Sequence, residues 1–141
     1  MILVTGAAGF IGSHVCEALV KEKKQVIGID NFNDYYSPKI KESNIETLKQ
    51  HNNFTLYRED IKNIDSLKKI FEDNKIGKII HLAARVGVRP SISMPSAYVQ
   101  DNIQGTLNLL ELAKENGIKN FVFGSSSSVY GGNKKIPFSE N

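Results

Sequence analysis

Three glycines spaced three residues apart form the first stretch of the sequence that could bind a ligand. They are Gly6, Gly9 and Gly12 in "TGAAGFIG", which follows the apolar run "ILV" and opens an amphipathic segment. A glycine turn between a strand and a helix lets the backbone approach a phosphate, and the N–H groups at the helix start attract negative charge. The same turn could join a strand to a helix without any ligand, so a second feature is needed to decide.

Asp30 is that second feature. It ends the apolar run "QVIGID", eighteen residues after Gly12. A carboxylate at the end of the second strand of such a unit can accept hydrogen bonds from both ribose hydroxyls of adenosine. Because a carboxylate repels a 2′-phosphate and no arginine follows nearby, the glycines and Asp30 together predict NAD rather than NADP as the cofactor.

Serine and histidine side chains also stand at strand ends. Four consecutive serines, 125–128, follow the apolar run "NFVFG", where a hydroxyl could contact a substrate, although a polar turn is the simpler interpretation. His81, in "IIHLAA", is interpreted as a packed, hydrogen-bonded residue rather than an acid or base. No pair of histidines has the spacing of a metal site, so none is predicted. Cys16 has apolar neighbours and is predicted to lie in the core.

Short apolar runs alternate with longer amphipathic ones along the whole chain. Strands are predicted at 2–4, 25–30, 53–60, 78–84 and 119–126, and helices at 10–22, 38–50, 64–74 and 96–117. Asp65 or Ser66 is expected to cap the helix 64–74. This alternation predicts an α/β fold with a doubly wound parallel sheet and right-handed crossovers. In such a sheet, cofactor and substrate bind at the carboxyl ends of the strands.

The composition narrows the class of protein further. A length of 141 residues fits one domain, and 18 Lys and Arg against 15 Asp and Glu give a net charge of +3. The lysines are scattered in pairs, which indicates a solvated surface, and no nucleic-acid partner is expected. A single cysteine rules out an internal disulfide and fits a reducing cytoplasm. The amino terminus lacks a basic stretch followed by a long apolar run, so neither a secretory signal nor a membrane span is expected.

Four stretches, in this order and spacing, resemble the extended short-chain dehydrogenase/reductase family: "TGAAGFIG", "DNFNDYY", "HLAARVGVRPS" and "SSSSVYG". Among its nucleotide-sugar epimerases, "DNFNDYYSPKIK" and "SSSSVYGGNKKIPFSE" are most similar to UDP-glucuronate 4-epimerases. The resemblance implies a Rossmann-type sheet of five strands in the order 3-2-1-4-5. It also implies that residues 1–141 form an incomplete NAD-binding domain whose substrate domain is not in the chain.

The resemblance assigns cofactor contacts to positions at each strand end. The pyrophosphate contacts are Gly6, Gly9, Phe10, Ile11 and Gly12. The adenosine ribose contacts are Asp30, Asn31, Phe32 and Asn33, and the adenine contacts are Asp60 and Ile61. The segment beneath the middle of the cofactor is Leu82, Ala83 and Ala84. On the nicotinamide side, the resemblance implies a contact from Asp101 or Asn102.

The serines acquire a role from the same resemblance. Epimerases of this kind oxidise the C4 hydroxyl of a sugar with NAD and reduce the ketone from the other face. A tyrosine, its pKa lowered by a lysine, takes the hydroxyl proton while a serine, here Ser126, hydrogen-bonds the same oxygen. Ser127 and Ser128 would line the sugar pocket. The family's dehydratases carry Asp-Glu at those two positions. Because this sequence has serines there instead, the resemblance favours epimerisation of UDP-glucuronate to UDP-galacturonate over dehydration. A UDP-glucose 4-epimerase, a sugar dehydratase and a non-catalytic NAD-binding module are the alternatives.

The family's Tyr-x-x-x-Lys pair follows the serine by roughly two dozen residues, beyond Asn141. Tyr35 and Lys39 match its spacing, but Pro38 disfavours a continuous helix there, so they are not assigned to catalysis. The full-length protein is expected to be a homodimeric enzyme. The 141-residue chain alone is expected to bind NAD weakly, to lack epimerase activity, and to self-associate through the strand 119–126 and the apolar face of 96–117.

Overall fold

Five parallel strands form the centre of the computed structural model, which describes residues 1–140. The strands are β1 (Ile2–Thr5), β2 (Val26–Ile29), β3 (Phe54–Tyr57), β4 (Lys78–His81) and β5 (Asn120–Phe123). Their order across the sheet is β3-β2-β1-β4-β5, and every neighbouring pair is parallel. The predicted fold class and strand order are therefore confirmed. Each strand has four residues, so β3, β4 and β5 are shorter than the strands predicted at 53–60, 78–84 and 119–126.

Helices cover both faces of this sheet. They are α1 (Phe10–Lys21), α2 (Pro38–Ile45), α3 (Ile64–Asp73), α4 (Val88–Ser93), α5 (Pro95–Tyr98) and α6 (Gly105–Glu115), with 3₁₀ turns at Leu48–Gln50 and Ser127–Tyr130. Successive strand residues point to opposite faces. On β1, Leu3 packs with the apolar residues of α3 and α6, whereas Val4 packs with those of α1 and α2. The sheet is therefore the middle layer of a doubly wound α/β fold.

Three local features differ from the sequence-based expectations. The helix predicted at 96–117 is interrupted by a π-helical turn, Val99–Gln104, between α5 and α6. The helix predicted at 38–50 ends at Ile45 and continues as a 3₁₀ turn. The cap of α3 is Asn63, whose side chain accepts the N–H of Ser66 at 3.3 Å, and not Asp65 or Ser66.

The parallel register brings the carboxyl ends of the strands to one edge of the sheet. Thr5 at the end of β1 lies opposite Ile29 on β2 and His81 on β4. The segments that follow β1, β2, β3 and β4 therefore leave the sheet side by side and can share one ligand. Among residues 1–140, no helix has the length and apolar character needed to cross a membrane.

Candidate functional site

A cleft of about 530 Å³ runs along the carboxyl edge of the sheet. This volume lies in the usual range for cofactor pockets. The predicted cofactor residues that line it are Gly6, Gly9, Phe10, Ile11, Gly12, Asp30, Asn31, Asn33, Asp60, Ile61, Leu82, Ala83, Ala84 and Asp101. Phe32 and Asn102 are not among the residues that line the cleft.

The glycine turn at the end of β1 requires glycine for two different reasons. Gly6 has φ +68°, and a Cβ there would lie 2.9 Å from the backbone nitrogen of Ala83. At Gly12 a Cβ would lie 2.0 Å from the carbonyl oxygen of Gly6, so only glycine lets α1 pack this closely against the turn. Gly9 is the N-cap of α1 and makes no side-chain cap. The first-turn N–H groups of α1 are therefore available to an anion in the cleft.

Asp30, just after β2, is buried and already makes three hydrogen bonds. Its Oδ2 accepts the N–H of Ala8 at 3.1 Å, and its Oδ1 accepts the N–H of Phe32 at 2.8 Å. The Nζ of Lys41 donates to the same Oδ1 at 3.1 Å. A carboxylate has about four lone-pair positions. The geometry leaves room for one further donor, whereas the sequence prediction assigned both ribose hydroxyls to Asp30.

Lys41 of α2 is a buried cation beside this carboxylate. Its Nζ also donates to Oδ1 of Asn33 at 3.3 Å and lies 5.3 Å from the centre of the Tyr36 ring. Together Lys41 and Asp30 carry no net charge, so repulsion by Asp30 alone does not distinguish NAD from NADP. The sequence-based argument, which noted only the absence of a nearby arginine, missed this ion pair.

Phe32 has φ +51° and does not line the cleft. The ring packs against the apolar layer under α1 and α2, and the guanidinium carbon of Arg58 lies 4.0 Å from the ring centre. The N–H of Phe32, not its side chain, holds Asp30.

Asp60 and Ile61, after β3, form the next part of the cleft. Asp60 accepts the Nδ2 of Asn31 at 2.9 Å and the N–H of Lys62 at 2.9 Å. Ile61 is buried and packs against Gly105, where an added Cβ would lie 2.4 Å from its Cδ1. The hydrogen bond from Asn31 to Asp60 thus joins the loops after β2 and β3 directly.

The π turn directs two polar side chains at the loop after β4. Asp101 is buried and contacts Lys62 Nζ at 2.6 Å and Arg85 Nε at 2.7 Å. Burial alone would raise the pKa of Asp101, but the hydrogen bonds from Lys62 and Arg85 bring that pKa below its usual value. Asn102 accepts the Arg85 N–H at 2.7 Å and donates to the Arg85 carbonyl at 2.9 Å. Asp101 therefore reaches the cleft, while Asn102 fixes the backbone of the loop.

The serines lie at the far end of the cleft. Ser125 lines it, together with Gly124. Ser126 is exposed and caps the 3₁₀ turn Ser127–Tyr130, its Oγ accepting the N–H of Ser128 at 3.3 Å. None of Ser126, Ser127 and Ser128 lines the cleft; they come after β5, which ends at Phe123, and Ser127 begins the 3₁₀ turn. Tyr35 precedes α2, which begins at Pro38, so Tyr35 and Lys39 do not share a helix face.

His81 and Cys16 are both buried, and neither lines the cleft. Burial lowers the pKa of His81 to about 4, so its ring is neutral. Burial, followed by the charge of Glu17, raises the pKa of the Cys16 thiol to about 12. Within residues 1–140, no three His, Cys, Asp or Glu side chains are grouped so that they could hold a metal ion.

The sequence matches the protein family described as GDP-mannose 4,6 dehydratase over residues 3–141. The chain belongs to this family. It is 52% identical to a UDP-glucuronate 4-epimerase of Thermodesulfobacterium geofontis and 47% identical to UDP-glucuronate 4-epimerase 4 of Arabidopsis thaliana, covering 99% of this chain and 43% and 32% of those proteins. The crystal structure of a Bacillus cereus UDP-glucuronic acid 4-epimerase with UDP-glucuronic acid and NAD has 45% identity and a TM-score of 0.88, covering 99% of this chain and 44% of that one.

This member of the family thus spans less than half the length of those relatives. Two residues at its cleft were missed by reasoning from the sequence. Lys41 is the fourth residue of the helix that starts at Pro38. A long side chain in the first turn of that helix can reach back to the end of β2, and this position is the signal that could have identified it. Arg85 follows directly after the predicted segment 82–84, and its pairing depends on the π turn, which has no signal in the sequence.

Proposed function

We propose that the cleft binds NAD. The observation that carries this proposal is the glycine turn, with the uncapped start of α1 directed into a cleft that also contains Asp30 and Asp60. The pyrophosphate would lie at the N–H groups of α1, and the adenosine ribose would meet the remaining acceptor of Asp30. Adenine would lie by Asp60 and Ile61, and the rest of the cofactor along the segment 82–84. Relatives crystallised with NAD support this assignment.

Calorimetry of the chain with NAD and with NADP tests the cofactor proposal. NAD should bind more tightly, because the 2′-phosphate of NADP replaces a ribose hydroxyl that could donate to the remaining acceptor of Asp30. Asp30→Ala should weaken NAD binding roughly tenfold because one charge-assisted hydrogen bond is lost. Asp34→Ala is the matched control, since Asp34 does not line the cleft. Equal affinity of the unmodified chain for NAD and NADP would contradict the proposed preference.

We further propose that residues 1–141 are the cofactor-binding domain of a nucleotide-sugar 4-epimerase that converts UDP-glucuronate to UDP-galacturonate. Relatives named UDP-glucuronate 4-epimerase support UDP-glucuronate as the substrate. When bound, NAD accepts a hydride from C4 of the sugar and returns it to the opposite face. In the extended protein, Ser126 would hydrogen-bond the C4 oxygen, with Ser127 and Ser128 at the sugar, on the turn that follows β5 and not within the cleft lined by residues 6–125. The general base would be a Tyr-x-x-x-Lys pair beyond Asn141.

The serines also support epimerisation over the dehydration that the family description names. Elimination of water needs an acid and a base, and the dehydratases carry Asp-Glu where this chain has Ser127 and Ser128. Serine hydroxyls have no pKa near neutrality and cannot replace those carboxylic groups. The position of Ser125 at the cleft supports a hydroxyl-lined sugar pocket at the end of β5.

A protein extended through the Tyr-x-x-x-Lys pair, incubated with UDP-glucuronate and followed by proton NMR, tests the reaction. UDP-galacturonate is the expected product, and Ser126→Ala should lower kcat by roughly 100-fold. Ser43→Ala, an exposed serine on α2, is the control. A dehydrated 4-keto sugar would indicate a dehydratase, turnover of UDP-glucose alone would change the substrate, and NAD binding without turnover would indicate a non-catalytic module.

We also propose that the full-length protein forms a homodimer through one helical stripe. Val99, Ile103, Leu107 and Leu110 follow one another at intervals of four, four and three residues, and are 44% to 62% exposed. Leu107 and Leu110 lie on one face of α6, and Val99 and Ile103 lie in the π turn that precedes it. An exposed apolar patch of this kind indicates a protein–protein contact. Light scattering should show a dimer that Leu107→Glu converts to a monomer. A monomeric unmodified protein would refute the proposal.

The buried free thiol of Cys16 supports a cytoplasmic location.

A further inference from the structure

The imidazole of His81 is tied on one side to the glycine turn. Its Nδ1 lies 2.6 Å from Oγ1 of Thr5, the residue before Gly6. The same Oγ1 accepts the N–H group of Ala83 at 3.2 Å and also that of Leu82 at 3.2 Å, which Leu82 shares with the carbonyl oxygen of Thr5. Because both lone pairs of this hydroxyl are used, its proton is directed to Nδ1 of His81. Nδ1 therefore accepts a hydrogen bond and carries no proton.

The other side of the imidazole is tied to the helix that follows the π turn. Nε2 of His81 lies 2.8 Å from Oγ1 of Thr106, whose hydroxyl donates to the carbonyl of Asn102 at 2.6 Å. Since the Thr106 proton is committed to that carbonyl, its oxygen accepts from Nε2–H. The ring is thus neutral, with its proton on Nε2. From Thr5 through His81 and Thr106 to the carbonyl of Asn102, each group donates its proton to the next.

Protonation of the ring would break this order. A second proton on Nδ1 would face the Thr5 oxygen, which already accepts two N–H groups. The apolar rings of Phe121 and Phe123 also lie beside the imidazole, with ring centres 6.1 and 5.6 Å away. Burial accordingly lowers the pKa of His81 to about 4.

These hydrogen bonds reach both ends of the segment Leu82–Arg85. Thr5 holds its first two N–H groups, and Asn102 holds both backbone groups of Arg85 at 2.7 and 2.9 Å. The residues of this segment line the cleft. The carbonyl of Asn102 that accepts Thr106 belongs to the residue whose side chain holds Arg85, so the series of contacts is continuous.

We propose that His81, as the neutral Nε2–H tautomer, is the positioning residue that fixes both ends of Leu82–Arg85 and so sets the shape of the cleft beneath the middle of the cofactor. This inference rests on the proposed binding of NAD, but the tautomer follows from the hydrogen bonds alone. His81 acts through Thr5 and Thr106 and does not line the cleft.

Histidine ¹⁵N NMR of the unmodified chain tests the tautomer without any ligand. The spectrum should show one Nε2–H form of His81 between pH 8 and about pH 5, consistent with a pKa of about 4. An Nδ1–H tautomer, or an imidazolium at pH 7, would overturn the inference.

Ligand binding by two variants tests the positioning role. Thr106→Val keeps the shape of the side chain but removes the outer hydrogen bond, and His81→Asn removes one ring contact. Each should weaken NAD binding roughly tenfold, corresponding to one or two buried hydrogen bonds. Binding of 5′-AMP should change by less than about twofold, because the adenosine contacts of Asp30 and Asp60 are separate from this chain of bonds.

The double variant supplies the decisive comparison. If His81 and Thr106 act as one series, the double variant should lose no more NAD affinity than the weaker-binding single variant. Additive losses, unchanged NAD binding, or equal losses for NAD and 5′-AMP would each overturn the positioning role. Should His81→Asn fail to fold, Thr106→Val alone still decides, with His51→Gln as the control. Failure of the unmodified chain to bind NAD would refute the proposed function and leave the tautomer to stand on its spectrum.

Discussion

Replacing Lys41 by Met should destabilise the protein strongly, because it leaves the Asp30 carboxylate buried without its cation. The two side chains are 7% and 5% exposed and 3.1 Å apart. Breaking a buried ion pair by removing one partner costs about 3–5 kcal/mol. Asp30 retains the N–H groups of Ala8 and Phe32, which partly stabilise its charge, so we expect the lower end, about 3 kcal/mol. With a urea m-value of about 2 kcal/mol per M, the unfolding midpoint should fall by about 1.5 M.

A double variant and a surface control separate the charge from the loss of packing. Asp30→Asn combined with Lys41→Met removes both charges and should be more stable than Lys41→Met alone. Lys49→Met breaks the exposed pair with Glu42, 3.0 Å apart, and should shift the unfolding midpoint much less than Lys41→Met, because solvent screens that pair. Urea unfolding followed by circular dichroism measures all three. A Lys41→Met midpoint equal to that of Lys49→Met, or a double variant no more stable than Lys41→Met, would refute the argument that Lys41 compensates a buried charge.

Three further outcomes follow from the core and the glycine turn. The pKa of His81 is about 4 in the folded protein and 6.5 in the unfolded chain, so the neutral ring contributes fully to stability above pH 6.5. This contribution is lost as the pH falls towards 4, and urea unfolding should show the free energy of unfolding decrease by about 3 kcal/mol. Gly12→Ala should prevent stable folding in thermal scans, since its Cβ would lie 2.0 Å from the Gly6 oxygen, whereas Gly77→Ala, with nothing within 4 Å, should be tolerated. Cys16, with a pKa of about 12, should react with Ellman's reagent only after unfolding.

The fold could be predicted from the sequence because its signals are local and periodic. Apolar runs such as "QVIGID" between amphipathic stretches indicate buried strands and crossover helices, and parallel pairing then brings Gly6, Asp30 and Asp60 to one edge. These three positions at the cleft were predictable for the same reason, since each lies in the segment that follows a strand. Where each strand would end was not predictable, because its end is decided by pairing with neighbours, as at Phe123 and Ser126.

What the sequence could not show is which polar groups are already paired before a ligand arrives. Asp30 reads as a free carboxylate in the sequence, yet Lys41 lies eleven positions later and reaches it only because α2 folds back over the strand end. Such pairs join distant residues and follow no fixed spacing, so neither periodicity nor a motif reports them. The number of donors that a ligand can add at Asp30 is therefore a property of the folded chain.

The π turn shows how one irregular element changes the role of adjacent residues. In a regular helix successive side chains differ in direction by about 100°, so Asp101 and Asn102 would be expected to serve different surfaces. The wider π turn lets both contact Arg85, one at its Nε and the other at its backbone. Thr106 donates to the carbonyl of Asn102, four residues earlier, and a hydroxyl that bonds back in this way perturbs the local helix. The π turn, the ion pair of Asp101 with Arg85 and the hydrogen bonds of His81 are therefore parts of one arrangement that holds the loop after β4 in place along the cleft.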